Sequence, residues 1–190
     1  MYGQIASVDR WVAPKTLAEA ITWQPKRNMA MSHLESLIVE YLDWQGYLVK
    51  RNTKVGRLKR GGWEMELDVI GYHPHTQDLV HYEPSLDAHP WEKREARFTK
   101  KFQSARKYIF MEVFSWLPPE TLLRQIAIFP SRSKDREMIA GGCILSIDEF
   151  VAEVRAKVMA CGVANSAAIS EIYPLLRMLQ LSHCGYNRAI

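Results

Sequence analysis

The sequence predicts an α/β domain: a mixed sheet flanked by helices, in the order helix, three-strand meander, long helix, strand, with an N-terminal arm and C-terminal helices. Three observations carry this. First, between residues 47 and 84 three runs rich in β-branched and aromatic residues are separated by Gly61-Gly62 and by the turn-forming segment 73–78. Second, the apolar period then lengthens, with Phe98, Phe102, Ala105, Ile109 and Val113 recurring every three to four residues as on one helical face. Third, Asp68 and Glu83 stand in neighbouring strand runs, where an ionised carboxylate must be paired, hydrogen-bonded or metal-bound to offset its lost hydration.

The elements follow in order. Residues 1–30 form an arm or helix, with Trp11, Leu17, Ala20, Ile21 and Trp23 as its apolar positions. A helix over about 31–44 carries Leu34, Leu37, Ile38, Tyr41 and Leu42 on one face, with Glu35 at the border of that face. Strands are expected at 47–55, 63–72 and 78–84, and a long helix at 90–115 is closed by Pro118-Pro119. A strand at 124–130 and a short one at Cys143–Leu145 come next. Ser146 and Glu149 are spaced as a capping box that starts a helix running to Cys161. A last helix spans Ser170–Leu181, where Pro174 is tolerable in or near the first turn. The organisation is therefore an arm (1–30), a core (31–130) and a C-terminal helical extension packed on the core (131–190), one domain overall.

Composition bounds the function. With 190 residues, 47% hydrophobic and 24% charged, the chain can bury one core. No apolar run approaches the roughly 18 residues that would span a bilayer, and the N-terminus lacks the basic-then-apolar layout of a signal peptide, so a cytoplasmic protein without membrane partners is expected. Cys143, Cys161 and Cys184 are odd in number and widely spaced, which indicates neither a disulfide framework nor a cysteine zinc site. The net charge of +4 is modest, but the cations are clustered. From Gln45 to Gly62 the chain has Lys50, Arg51, Lys54, Arg57, Lys59 and Arg60 and no carboxylate, a basic arm beside the acidic strand that suits phosphate contact. On the long helix Arg94 and Lys101 flank the apolar stripe, while Lys93, Lys100 and Lys107 face away.

A helix bearing a glutamate, then a meander carrying an aspartate and a glutamate, then a helix and a strand, resembles the αβββαβ core of the PD-(D/E)xK, or restriction-endonuclease-like, nuclease superfamily from about Ser32 to Pro130. The resemblance implies that Glu35 is the helix glutamate, Asp68 the central aspartate and Glu83 the glutamate of the Glu-x-Lys motif. Ser85 stands where that motif has its lysine. It further implies a metal-dependent DNA endonuclease that hydrolyses phosphodiester bonds with Mg²⁺ or Mn²⁺, held by Asp68, Glu83, the Pro84 carbonyl and Glu35.

Ser85 can donate a hydrogen bond but brings no charge, so the missing cation must come from elsewhere, and the helix wheel makes Lys101 or Arg94 the candidate. Lys101 is the better of the two, since a guanidinium is a poor proton acceptor. The alternative reading is a catalytically inactive protein of the same fold that binds nucleic acid or a partner protein. A homodimer is compatible with either reading. The histidines around the second hairpin, His73, His75, His81 and His89, fit no strong zinc spacing; His81 alternates with Glu83 and shares its face. Trp63, Trp91 and Tyr82 are core or base-stacking aromatics.

Overall fold

Alternation and helical period build a three-layer domain. The computed structural model describes residues 32–87, 89–133 and 135–187, all within the compact unit Ser32–Ile190; the arm expected at 1–30 lies outside the described residues. Ser32 caps the first helix, α1 (His33–Trp44), by accepting the Glu35 N–H at 3.2 Å. Three antiparallel strands follow: β1 (Leu48–Arg57), β2 (Trp63–His73) and β3 (Asp78–Pro84). The long helix α2 (Trp91–Tyr108) continues into a π-helical turn at Ile109–Val113. Strand β4 (Leu123–Phe129) then pairs parallel with β3.

The segment after residue 130 carries the short strand expected at Cys143–Leu145 and one more before it. It adds two strands, β5 (Met138–Ile139) and β6 (Gly142–Ser146), with β6 parallel to β4, so the sheet has six strands in the order β1-β2-β3-β4-β6-β5. Gly142 permits this. A Cβ there would lie 2.4 Å from Phe102 Cε2, so only glycine lets β6 come so close to α2. Helix α3 (Ile147–Ala160) opens with the expected capping box, Ser146 Oγ accepting the Glu149 N–H at 3.1 Å while the Ser146 N–H donates to Glu149 Oε2 at 2.7 Å. Helix α4 (Pro174–Cys184) begins at Pro174, and Glu40 of α1 accepts its Leu175 and Leu176 N–H groups at 2.9 and 3.2 Å. Those N–H groups have no partner within their own helix.

The helices divide between the two faces of the sheet. On one face α1, α3 and α4 bury Ile38, Tyr41, Leu42, Phe150, Val154 and Leu176 against Val69, Val80, Tyr82 and Ile126. On the other, α2 lies over two separate apolar clusters. Ala105, Tyr108 and Ile109 pack on Val55, Leu67, Ile70 and Leu79, whereas Phe98 and Phe102 pack on Ala127, Phe129 and Ile144. The predicted basic arm is the β1–β2 hairpin. Its turn is closed by Leu58 N–H to Gly62 O at 3.1 Å, with Gly61 and Gly62 at φ 89° and 86°. The three cysteines are free. Among the described residues no helix is long and apolar enough to cross a membrane.

Candidate active site

Between the two apolar clusters under α2 runs a polar seam. Register brings its acids together: Val69 pairs with Tyr82 and Ile70 with His81, so one step further along the antiparallel pair Asp68 faces Glu83. β2 changes face at this point. Leu67 and Ile70 both join the cluster under α2, while Val69 between them joins the opposite core. Strict alternation would forbid that. Asn52, opposite Asp68 in the β1–β2 register, takes a positive φ of 45°. The Asp68 N–H donates to Glu83 Oε1 at 3.2 Å.

Lys101 completes the group from above. Extending from α2, its ammonium donates to Asp68 Oδ1 and Oδ2, each at 3.1 Å, and to Glu83 Oε2. Glu83 and His81 are fully buried, whereas the side chains of Asp68 and Lys101 keep 17% and 20% of their exposure, so the seam opens on the Asp68–Lys101 side. His81 Nε2 lies 2.8 Å from Glu83 Oε1. Gln125, from β4, donates to the Phe102 carbonyl at 3.0 Å and lies 3.5 Å from His81 Nδ1.

Two carboxyl groups crowd one ammonium in a partly dry site. The protonation pattern reflects it. Burial, together with the Glu83 charge, pushes the Asp68 carboxyl up. Burial alone would also raise Glu83, but the His81 hydrogen bond and Lys101 outweigh it and hold the carboxyl low. On Lys101 burial opposes the charge, yet Glu83 and then Asp68 overcome it and raise its pKa. Lys101 is thus a held ammonium: a donor and counter-charge, with no free pair to accept a proton.

The other predicted site residues, Glu35, Pro84, Ser85 and Arg94, stand outside the hydrogen-bonded trio of Asp68, Glu83 and Lys101. Glu35 sits on α1, across the sheet from α2, and among the described residues no three His, Cys, Asp or Glu side chains form a metal-binding group. Pro84 lies in the β3–β4 ladder opposite Ile128. Ser85 donates to Asp87 Oδ2 at 2.6 Å and accepts from Arg97 Nη2 at 2.6 Å. Arg94, instead of reaching the acids, donates to the Asp87 carbonyl at 2.5 Å and stacks over Phe129 at 4.9 Å. Sequence reasoning does not single out Asp87, Arg97 or Gln125. Asp87 lies two residues beyond Ser85 in the loop before a helix that carries Arg94 and Arg97, the one signal that could have marked a clasp.

All six hairpin cations, Lys50, Arg51, Lys54, Arg57, Lys59 and Arg60, are exposed and form no ion pair among the described residues. Beside the hairpin a groove of about 340 Å³ runs between Glu64 and Met65 of β2 and Lys100, Gln103, Ser104 and Lys107 of α2, one helical turn from Lys101. The histidines do not converge. His75 and His89 are exposed, His73 accepts the Thr76 N–H in its turn at 3.1 Å, and only His81 enters the seam. Tyr82 faces the opposite core, Trp91 stacks with Arg136 at 4.3 Å, and Trp63 is 45% exposed on the hairpin. No protein-family model matches the chain, and no curated protein matches it significantly in sequence.

Proposed function

We propose that this chain is a metal-dependent DNA endonuclease of the PD-(D/E)xK type, with Asp68 and Glu83 as metal ligands and Lys101 as the cation that Ser85 does not supply. The single observation behind this reading is that the Lys101 ammonium meets both carboxylates from a helix, at a point where the family's lysine would otherwise arrive from the strand. The observed strand and helix order, with β4 parallel to β3, supports it further.

The donor set fits the ion. Two carboxyl groups converging on one point, Glu83 ionised and Asp68 able to give up its proton to a cation, suit Mg²⁺ or Mn²⁺, which is held by few carboxylates and keeps several waters. Bound there, the ion would supply Lewis-acid charge to a phosphodiester and lower the pKa of water. Asp68 and Glu83 hold the position from adjacent strands. Lys101 brings an N–H donor and a positive charge to the same place, suited to offset charge that develops on a phosphoryl group. The exposed hairpin cations and the lysine-lined groove supply sequence-independent contact to the DNA backbone.

One observation favours the second reading, an inactive binding protein. Lys101 already pairs with both acids, so the trio is internally satisfied in large part. A cleavage assay separates the two. Plasmid, single-stranded and branched DNA are incubated with Mg²⁺ or Mn²⁺ and with EDTA, using wild type and Asp68→Ala. Metal-dependent cleavage lost in the variant supports the nuclease. Absence of both cleavage and divalent-ion binding leaves the binding protein.

A further inference from the structure

We infer that His81 is a positioning residue that fixes which oxygen of Glu83 faces the site, an inference that rests on the metal-site reading above. The donor chain starts at Phe102. Its carbonyl can only accept, so the Gln125 atom 3.0 Å away is the amide nitrogen, and the same nitrogen presents its other N–H toward His81 Nδ1 at 3.5 Å. Nδ1 is therefore the acceptor of the ring, and the proton resides on Nε2. Nε2 then donates to Glu83 Oε1 at 2.8 Å.

Oε1 also receives the Asp68 N–H at 3.2 Å, so two donors from two strands hold one oxygen of a fully buried carboxylate. Only Oε2 remains on the Lys101 side, beside Asp68. The lock matters because the terminal torsion of a glutamate is soft and roughly two-fold, so packing alone would let the carboxylate turn. Phe102 bounds the imidazole, ring centroids 5.7 Å apart and nearly perpendicular, and among the described residues the fully buried ring has no other polar partner to turn toward. His81 is thereby excluded as a metal ligand. Both its nitrogens are committed within the seam, and its effect on the site passes through Glu83.

The test is calorimetric titration of Mn²⁺ into the full chain, with folding checked by near-ultraviolet circular dichroism, for wild type, His81→Leu, His81→Gln and Gln125→Met. Partners that orient ligands typically account for about 10- to 100-fold in metal affinity. His81→Leu should therefore bind Mn²⁺ about 10- to 100-fold more weakly per folded molecule, while His81→Gln, whose amide N–H can reach Oε1, should recover most of that loss. A purely structural role would lower stability and leave the affinity of the folded fraction unchanged. Wild-type affinity in folded His81→Leu, or a loss in His81→Gln as large as in His81→Leu, overturns the inference. Should His81→Leu fail to fold, Gln125→Met decides, because it frees Nδ1 and should weaken binding; wild-type affinity there overturns the inference. If wild type itself binds no Mn²⁺, the metal reading fails and the inference falls with it, an outcome distinct from the others.

Discussion

The backbone N–H of Asp68 donates to the side chain of Glu83 at 3.2 Å, across two antiparallel strands whose register sets the residues face to face. The hydrogen bond crosses from β2 to β3. It ties the strand carrying one acid to the carboxylate of the other, so the spacing of the pair is fixed by the sheet and not by two independent rotamers. Lys101 then reads both acids at once.

Removing either half of that arrangement should abolish cleavage. Asp68→Ala deletes a proposed metal ligand, and Lys101→Ala deletes the donor proposed beside it, an effect of about 10²–10⁴-fold in rate by analogy with acid–base groups. Single-turnover rates on saturating DNA check this, with equilibrium binding expected to change little. Lys101→Ala at wild-type rate would remove the lysine from the mechanism.

Ser85→Lys, introduced into Lys101→Ala, should restore part of the lost rate by placing a cation on the strand where the proposed nuclease pattern has one. Full recovery is not expected, because Ser85 sits against the Arg97 guanidinium and a lysine there meets like charge. A double variant no faster than Lys101→Ala would show that the two positions do not serve the same group.

Stability in EDTA should fall with rising pH because of Asp68. Its carboxyl is raised in the folded protein by burial and by Glu83, so the folded state keeps a proton that the unfolded chain releases near its ordinary pKa of about 3.9. The folded state binds more protons in the window from about pH 4 up to the raised native value, and unfolding free energy declines across it. Asp68→Asn should flatten this decline in chemical denaturation curves. Parallel curves for the two proteins would contradict it.

The hairpin should govern binding and not catalysis. Lys54→Ala, Arg57→Ala, Lys59→Ala and Arg60→Ala combined should weaken duplex binding and reduce the log–log salt slope by about 0.9 for each phosphate that the hairpin no longer neutralises. Fluorescence anisotropy between low and moderate salt measures both. An unchanged slope would point to a protein partner instead.

Gly142→Ala should destabilise by about 1–3 kcal/mol, since the new Cβ collides with the fully buried Phe102 ring and with the Gln125 carbonyl, 2.8 Å away. Phe102→Ala should cost about 3–5 kcal/mol by opening a cavity beneath α2. Urea unfolding gives both numbers. If the Phe102→Ala background removes the Gly142→Ala penalty, the clash with that ring is its main source.

Much of the layout was present in local pattern. The period-2 runs, the 3.6-residue stripe of α2 and the Ser146–Glu149 cap needed only their own neighbours, so each stands close to where periodicity put it. The strand β5 did not announce itself, because two residues carry no period. The pairing of Asp68 with Glu83 was also readable, since a short turn between two strands all but sets an antiparallel register.

What the sequence alone determined, then, was the order of elements, the acid pair and the clustering of cations on one hairpin, all of which follow from contacts short in sequence. Tertiary structure decided the rest. The wheel had narrowed the α2 cations to Lys101 and Arg94, with Lys101 preferred; the contact itself depends on how the helix rolls on its two apolar clusters, and that roll brings Lys101 to the seam while Arg94 goes to Asp87 and Phe129. The change of face at Asp68 and the Gln125–His81 contact, whose residues stand 44 positions apart, have no local pattern that encodes them. Glu35 shows the converse: its helix packs across the sheet because the α1 stripe completes the other core, a choice made by the whole apolar surface and not by the glutamate.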